Sequence, residues 1–471
     1  MNDKITLIHN WIDAHKEEII KDHMELVRIP SIADKDSDIK PFGQPCIDVL
    51  DFMLKKGEEA GFATKNYENY VGCITQNPER NLDETIGLWA HLDVVPVDDK
   101  WHTDPFEPMI INDCIIGRGV EDNKGATIGS LYLMKALKEL DIKLKHNLTL
   151  FMGTNEETGM LDIDYYANKG LEFPKFSLVP DAGWPGVRGQ FGRTEFNLIS
   201  NHPISEDIVR FEVGQASNII PSEASITLKK SLGFDCTKVP AEHYEIVETE
   251  DTITIKAFGT GGHAAWPQGK LNALYLITKV VAENGCLCEY DQKIFDFITA
   301  INEDMLGVPL GINYEDEHGE TVCTSTMVTL KDKKICFRCD CRSTVTAVAE
   351  ELLTLIAENA AAFDMTSEIL RCMGGSAISA DSPAVKIVCE EYEKAKGEKV
   401  ELEVMKGGTY AGKIPRALAT GMVSIDRSLF PDYIVDGYGE GHQPDEALPI
   451  KDFFEGMKLF ATILLRIDEE L

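Results

Sequence analysis

The sequence lacks the features of a membrane-spanning protein and of a nucleic-acid-binding protein. No stretch approaches the roughly 18 consecutive apolar residues that a membrane-spanning helix needs. Positive charge is also scarce, because 46 Lys and Arg face 79 Asp and Glu across 471 residues, which gives a formal net charge of −33. Nucleic-acid binding depends on basic surface that displaces counterions. We therefore expect neither a membrane nor a nucleic acid as a partner.

The N-terminal segment lacks the uninterrupted apolar core of a signal peptide. Charged residues fall at 16–18 and 21–22, while apolar residues between Ile8 and Val27 recur at helical spacing. This pattern predicts an amphipathic helix and favours a cytoplasmic location. The twelve cysteines are accordingly expected to be reduced thiols.

One cysteine cluster, Cys336–Cys341, has two interpretations, a zinc site or a β-strand. A structural zinc site needs four ligands, and the sequence offers no second Cys or His pair nearby. Ile335, Phe337, Cys339 and Cys341 fall on one face of a β-strand, and the charged residues at 338, 340 and 342 fall on the other. We prefer the strand interpretation, with Arg342 on its polar face.

The periodicity of the apolar residues changes twice along the chain, which predicts two domains. Residues 1–187 alternate helices with short apolar strands, as in a parallel sheet covered by helices. Residues 188–381 contain segments that alternate with a period of two, as antiparallel strands do. Helical spacing resumes over 382–471. We expect an α/β fold class: a phosphorylase/hydrolase-like mixed α/β catalytic domain, interrupted by an inserted α+β domain.

Three predicted strands lead into side chains that metals bind. The runs and the residues after them are 86–90 with His91 and Asp93, 148–152 with Glu156 and Glu157, and 176–179 with Asp181. Open α/β sheets bind ligands at the carboxyl ends of their strands. A dinuclear hydrolase needs imidazoles, carboxylates and a further carboxylate as base. Together with Asp122 and His442, which lie in glycine-rich segments, these residues predict a metal-dependent hydrolase.

Each of these signals also has an ordinary structural explanation. His91 and Asp93 could form a hydrogen-bonded turn, Glu156 and Glu157 a solvated helix start, and Asp181 a turn cap. The combination of several such residues at strand ends favours the metal site.

The order of these motifs resembles the M20 metallopeptidases over almost the whole chain. The motifs that carry the resemblance are His91–Pro96, Gly117–Gly125, Asn155–Gly159, Asp181, Gly259–Pro267 and His442. Ordered motifs across so long a span are a far more specific signal than any one of them alone.

The resemblance implies a role for each residue of the site. It implies two divalent ions per chain, with zinc as the first choice and manganese or cobalt as alternatives, held by His91, Asp122, Glu157, Asp181 and His442. Asp122 would bridge the ions, Glu156 would be the general base for a metal-held hydroxide, and Asp93 would orient His91. In this family the peptide bond after the bridging Asp is commonly cis, here Asp122–Asn123.

The resemblance also makes the inserted domain a lid that reaches the substrate. Asn218 belongs to a lid motif, Gly214–Pro221, and His263 would polarise the scissile carbonyl. Arg342 would bind the substrate carboxylate. The other implied substrate-binding residues are Gly407, Gly408 and Thr409. Without the resemblance, His263 would pass for a loop histidine and Arg342 for part of a surface salt bridge.

The length of the insertion resembles the PepV-type dipeptidase branch, in which a doubled lid lets a monomer supply the whole site. Tyr410, after Gly-Gly-Thr, favours the same branch, since deacylases of the family more often carry an acidic residue there. We therefore predict a monomeric metal-dependent dipeptidase acting on small peptides. The alternatives are an M20 N-acyl-amino-acid deacylase or carboxypeptidase, and a non-catalytic metal-binding protein.

Overall fold

The structure is a computed structural model that describes residues 2–214, 216–423 and 425–471. Gln215, which belongs to the predicted lid motif, lies outside the described residues. The chain divides into two compact units. The first comprises the segments up to Gly189, Ile378–Glu403 and Gly408–Leu471, and the second comprises Gln190–Ala377 and Val404–Gly407.

Helices occur in both units. Their bounds are α1 (Asn2–Ala14), α2 (Lys16–Val27), α3 (Gln44–Glu59), α4 (Lys124–Glu139), α5 (Leu161–Asn168), α6 (Ala273–Asn284), α7 (Glu289–Asp304), α8 (Ala349–Ala362), α9 (Pro383–Lys396) and α10 (Ile450–Glu470). In the part of the chain that the structure describes, none of these helices is long and apolar enough to cross a membrane.

The strands alternate with these helices in the first unit and dominate the second. Their bounds are β1 (Ala63–Tyr67), β2 (Val71–Thr75), β3 (Thr85–His91), β4 (Met109–Ile111), β5 (Cys114–Ile116), β6 (Asn147–Gly153), β7 (Phe176–Pro180), β8 (Gly189–Gln190), β9 (Gly192–Ser200), β10 (Ile208–Val213), β11 (Ile219–Ile220), β12 (Glu223–Lys229), β13 (Tyr244–Glu248), β14 (Thr252–Phe258), β15 (Gly262–His263), β16 (Glu315–Asp316), β17 (Gly319–Glu320), β18 (Val322–Lys331), β19 (Lys334–Ser343), β20 (Met365–Met373), β21 (Ser376–Ala377), β22 (Val404–Met405), β23 (Ala417–Thr420) and β24 (Ala447–Pro449).

The first unit is built on a six-stranded sheet in the order β1–β2–β6–β3–β7–β23. Strand β3 runs parallel to β6 and β7, and β23 runs parallel to β7, whereas β1 and β2 are antiparallel to their neighbours. Every residue of β3, β6 and β7 is buried. Because parallel neighbours end at the same edge, the residues that follow His91, Gly153 and Pro180 converge there.

Apolar clusters on both faces of this sheet account for the continuous burial of its central strands. Leu88 packs into the large cluster that includes residues of α4 and α10, whereas the next residue, Trp89, packs into a second cluster. The rings of Trp89 and Phe151 stack there with their centroids 4.3 Å apart. The strands are therefore fixed from both sides, which makes their polar ends a rigid platform.

A small sheet, β24–β5–β4, joins two segments that are distant in sequence. Ala447 pairs with Ile116 in the antiparallel register of β24 and β5. Strand β5 leads into the segment that carries Asp122, and β24 follows the segment that carries His442. The pairing therefore places the two segments side by side.

The predicted N-terminal amphipathic helix is divided in two at His15. This residue leaves the helical conformation, with φ of −109° and ψ of 11°. Its ring Nδ1 lies 2.7 Å from the carbonyl oxygen of Trp11, in the preceding turn. The apolar periodicity continues across the break, with Ile12 and Ile19 both buried, so periodicity alone did not reveal it.

The second unit is an eight-stranded antiparallel sheet in the order β13–β14–β12–β10–β18–β19–β9–β20. Residues of α6, α7 and α8 pack with this sheet in one apolar cluster. Strands β10 and β18 meet at the middle of the order, where the described residues give one registered pair, Val213 and Val328. The sheet thus consists of two four-stranded halves. The two units together confirm the predicted mixed α/β fold class with an inserted α+β unit.

The cysteine cluster lies on strand β19, as expected from its alternation. Ile335, Phe337, Cys339 and Cys341 are fully buried in the apolar cluster of the second unit. All the cysteines of the chain are free thiols. The strand interpretation accounts for the spacing of the cluster.

Candidate metal centre

Asp122 lies between two histidines from distant parts of the chain. Its Oδ1 is 3.0 Å from Nε2 of His91, at the end of β3, and its Oδ2 is 3.1 Å from Nε2 of His442. A carboxylate that directs one oxygen to each of two imidazoles has the arrangement of a ligand shared by two ions.

Glu157 and Asp181 each lie beside one of these histidines. Glu157 Oε2 is 2.9 Å from Nε2 of His442, and Asp181 Oδ1 is 3.5 Å from Nε2 of His91. Ligand atoms of His91, Asp122 and Glu157 lie within 4.8 Å of one another. The structure thus brings together the five side chains that the resemblance implies as ligands.

Glu156 lies at the same cluster, and one of its carboxylate oxygens has no hydrogen-bond partner in the described part of the chain. Its carboxylate forms a second group with His91 and Asp181, with ligand atoms within 4.8 Å of one another. The side chain is buried, and its Oε1 has no hydrogen-bond partner among the described residues. An oxygen in this position is available to accept a proton.

Asp93 fixes both His91 and the segment that carries the two glutamates. The backbone oxygen of Asp93 is 2.9 Å from Nδ1 of His91, and its carboxylate Oδ1 is 3.6 Å from that nitrogen. The carboxylate also accepts hydrogen bonds from the backbone N–H of Glu156, at 2.9 Å, and of Glu157, at 3.1 Å. Asp93 therefore orients His91 and the segment of the two glutamates, and is not itself one of the candidate ligands.

Asp162, which the sequence analysis missed, holds the same segment from a second side. Its Oδ2 accepts hydrogen bonds from the backbone N–H groups of Thr154 and Asn155, both at 2.8 Å, and from the hydroxyl of Tyr410. Asp162 and Tyr410 are fully buried. Tyr410 thus acts on the segment of Glu156 through Asp162.

Asn123 and Glu446 were also missed. The Asp122–Asn123 peptide bond is cis. The side-chain amide of Asn123 donates to Asp181 Oδ1 and to the carbonyl oxygen of Pro180, both at 2.8 Å. Glu446 is a fully buried carboxylate that accepts hydrogen bonds from the segment of Asp122. The Gly-rich motif beside Asn123, and the position of Glu446 four residues after His442, were the signals available in the sequence.

Burial and mutual contact shift the pKa values of the cluster in opposite directions. Burial raises the pKa of Glu156 well above its ordinary value and raises that of Glu157 to about 7. Burial would also raise the pKa of Asp122, but hydrogen bonds from His442 and His91 hold it far below its usual range. Burial would lower the pKa of His442, but the bonds to Asp122 and Glu157 raise it to about 11. The carboxylates outnumber the imidazoles, so bound cations would balance the cluster.

The donor set fits divalent transition-metal ions. The groups that could hold an ion in the described part of the chain consist of His nitrogens and carboxylate oxygens, without a cysteine. Zinc, manganese and cobalt all bind such mixed nitrogen and oxygen sets. The chemistry of the donors therefore agrees with a metal centre and leaves the metal open.

In the second unit, Asn218 and His263 are neighbours on a short two-stranded ladder. Ile219 pairs with His263 between β11 and β15, and the Nδ2 of Asn218 lies 3.5 Å from the ring Nε2 of His263. The other ring nitrogen, Nδ1, lies 3.1 Å from the backbone nitrogen of Ala265. A bond from that N–H leaves Nε2 as the ring nitrogen that carries the hydrogen in neutral His263.

Arg342 is buried on β19, and part of its guanidinium is hydrogen-bonded within the protein. Its Nε donates to Asp340 Oδ1 at 2.7 Å and its Nη2 to Asp340 Oδ2 at 3.0 Å. Its Nη1 donates to the carbonyl oxygen of Lys406 at 2.8 Å. These bonds use three of the five N–H donors of a guanidinium and fix its plane.

The Gly-Gly-Thr segment is divided between the units, with Gly407 in the second and Gly408 and Thr409 in the first. Thr409 is buried, and its hydroxyl accepts a hydrogen bond from the backbone N–H of Ala411 at 3.2 Å. Thr409 thereby caps the single helical turn that presents Tyr410.

Comparison with known proteins identifies related sequences and folds. The family model of peptidase family M20/M25/M40 matches residues 87–466. A relative named "Putative dipeptidase YtjP", from Bacillus subtilis strain 168, is 28% identical over 97% of this chain and 99% of its own.

Two solved structures are similar over nearly the full chain. The dipeptidase Dug1p of Saccharomyces cerevisiae has a TM-score of 0.59 at 16% identity, covering 100% of this chain and 99% of that one. The Bacillus subtilis YXEP protein, described as a dinuclear metal-binding peptidase of the M20 family, has a TM-score of 0.52 at 12% identity, covering 98% and 99%. At these identities the similarity shows a common fold.

Proposed function

Because this chain belongs to peptidase family M20/M25/M40 and is a metallopeptidase, we propose that it hydrolyses the peptide bond of dipeptides at a dinuclear metal centre. The observation that carries the proposal is Asp122, whose two oxygens each contact a different histidine, His91 and His442. The name of the Bacillus subtilis relative supports dipeptides as the substrate class.

His91 and Asp181 would hold one ion and Glu157 and His442 the other, and Asp122 would contribute an oxygen to each. When bound, the two ions supply Lewis-acid polarisation of the substrate and lower the pKa of water. The protein contributes the rigid placement of His91, Glu157 and Asp181, because the strands that lead to them are buried on both faces of the sheet.

Glu156 is the proton carrier of the reaction. Its unengaged Oε1 takes a proton from the attacking water, and the same carboxyl then gives that proton to the nitrogen of the leaving amino acid. Asp93 and Asp162 hold the backbone of this segment on two sides. The base is thus kept in place while its Oε1 has no hydrogen-bond partner among the described residues.

We assign the recognition of the substrate to Asn218 and His263 at the two-stranded ladder, to Arg342 on β19 and to the Gly-Gly-Thr segment. His263, with the hydrogen on Nε2, and Asn218 stabilise the oxygen of the scissile carbonyl. Arg342 binds the C-terminal carboxylate with its two remaining N–H donors, and Gly407, Gly408 and Thr409 line the same end. One chain carries all of these residues, which agrees with a monomer.

The test of this function is a panel of dipeptides, tripeptides and N-acetyl amino acids after reconstitution with Zn²⁺ or Mn²⁺. We expect turnover of dipeptides, much slower turnover of tripeptides, and none in the Glu156→Ala variant. Preferential hydrolysis of N-acetyl amino acids would show a deacylase with the same metal site. Binding of two ions without turnover of any substrate would contradict catalysis altogether.

Replacing Arg342 with lysine is expected to raise KM for dipeptides by about 10-fold or more, because a hydrogen bond to a charged group contributes about 1.5–3 kcal/mol. A lysine cannot reproduce the planar fork that Arg342 shares between Asp340 and a carboxylate. KM is measured for a dipeptide and for the same dipeptide as its C-terminal amide.

The dipeptide amide, which lacks the C-terminal carboxylate, separates an effect on carboxylate binding from an effect on folding. If Arg342 binds the substrate carboxylate, wild type and Arg342→Lys should differ strongly on the dipeptide and little on the amide. An equal loss on both substrates would mean that the substitution acts by depriving buried Asp340 of its two hydrogen bonds from Arg342.

A further inference from the structure

We propose that Glu446 is the positioning residue for Asp122 and joins the segment of Asp122 to that of His442. The inference rests on the proposed function in one respect, namely that it takes Asp122 and His442 as metal ligands. Glu446 is fully buried, four residues after His442 in sequence, and is not among the groups that could hold an ion in the described residues. Its contribution is therefore made through other residues.

Both oxygens of Glu446 are engaged by the segment that ends in Asp122. Oε1 accepts hydrogen bonds from the backbone N–H of Glu121, at 2.9 Å, and of Asp122, at 3.0 Å. Oε2 accepts from the backbone N–H of Gly119 and from Nη1 of Arg118, both at 2.8 Å. A single carboxylate thus fixes the backbone of Asp122 and of the turn before it.

The same residue links this segment to the one that carries His442. The backbone oxygen of Glu446 accepts a hydrogen bond from the N–H of Gly117 at 3.0 Å. A second link runs the other way, since Glu121 Oε2 accepts from the backbone N–H of Gly441 at 3.1 Å. The two segments are therefore joined on both sides of the ligands, and a displacement of Glu446 would move Asp122 relative to His442.

The chemistry requires a carboxylate rather than an amide at this position. Four N–H groups point at the two oxygens of Glu446, two at each. Glutamine offers one accepting oxygen and one NH₂ group, so two of the four donors would face another donor. Buried N–H groups without an acceptor are costly, and the segment would shift to satisfy them.

Zn²⁺ affinity, measured by competition with a chromophoric chelator, tests the proposal without relying on activity. We expect Glu446→Gln to bind Zn²⁺ about 10–100-fold more weakly than wild type, as is usual when a residue that orients a ligand is lost. Glu446→Asp keeps the charge and both acceptors and is expected to recover part of the affinity.

Asp468→Asn is the matched control. Asp468 is equally buried, and it accepts hydrogen bonds from the backbone N–H groups of Lys145 and His146, both at 2.8 Å, before the amino end of β6. Its loss should lower the melting temperature without changing Zn²⁺ affinity. Equal Zn²⁺ affinity in wild type and Glu446→Gln, or the same weakening in Asp468→Asn, would overturn the positioning role.

If Glu446→Gln does not fold, Glu446→Asp decides. Weaker binding than wild type by this variant supports the proposal, and unchanged binding overturns it. Absence of Zn²⁺ binding by the wild-type protein would instead contradict the proposed metal centre itself, so the two failures are distinguishable.

Discussion

Replacing Glu156 with glutamine is expected to lower kcat for a dipeptide by about 10²–10⁴-fold, the usual contribution of a general acid–base group. Glutamine has nearly the same size and retains an oxygen, but it can neither take nor return a proton. Since Glu156 is assigned to proton transfer rather than to metal binding, the variant should hold its ions as wild type does. Steady-state kinetics and metal content after reconstitution with Zn²⁺ measure the two effects separately.

Glu156 could instead be a metal ligand, and the geometry shows how the experiment would reveal this. Ligand atoms of His91, Glu156 and Asp181 lie within 4.8 Å of one another, so Glu156 is near enough to be a ligand. A parallel loss of metal and of kcat in Glu156→Gln would reassign it to the ions, and an unchanged kcat would place the base elsewhere. Glu172→Gln, at an exposed carboxylate of the same unit, should behave as wild type.

The sequence was sufficient to predict that His91, Glu157 and Asp181 come together at the candidate metal centre, because the strands that lead to them are simple. Strands β3, β6 and β7 are short, mostly apolar and parallel, and each leads directly into polar residues. The predicted runs 86–90 and 148–152 differ from the observed strands only at their ends. A parallel sheet brings such ends together whatever the rest of the chain does.

The residues that hold the ligands were not predictable by the same reasoning. Glu446 contacts residues more than 300 positions away, and Asp162 meets Tyr410 across 248 positions. The hydrogen bonds of Glu446 depend on the pairing of β24 with β5. Those of Asp162 depend on the packing of the turn at Tyr410 in the apolar cluster of Trp89. Neither periodicity nor spacing along the chain records such contacts.

The second unit shows a different limit. Its alternating strands obscured α7, although Ile294, Phe295, Ile298 and Ile301 follow helical spacing and are fully buried. Arg342 was expected on the polar face of its strand and lies there, but its bonds to Asp340 and to the carbonyl oxygen of Lys406 leave two N–H donors for a ligand rather than the full fork. A pattern of residue types predicts the face of a strand, whereas the hydrogen-bond partners on that face require the fold.

Replacing Asp122 with asparagine is expected to have the largest effect of any single substitution. The neutral amide keeps one oxygen and gains an NH₂ group that cannot bind a cation, so it could serve as a ligand to one ion but not to both. We expect the metal content to fall below two ions per chain and dipeptide hydrolysis to become undetectable. Metal analysis and activity after dialysis against Zn²⁺ check both, with Asp51→Asn, an exposed carboxylate on α3, as the control.

Thermal unfolding with and without Zn²⁺ extends this prediction to stability. A ligand present at 100 times its dissociation constant stabilises the state that binds it by about 2.7 kcal/mol. Wild type, Glu156→Gln and Asp51→Asn should therefore melt at a higher temperature with Zn²⁺, and Asp122→Asn should gain little. Two ions and a full thermal gain in Asp122→Asn would mean that Asp122 does not bridge the ions. If Asp122→Asn loses metal and Glu156→Gln does not, Asp122 is a metal ligand and Glu156 is not. The two variants would thus distinguish the binding of the ions from the transfer of the proton.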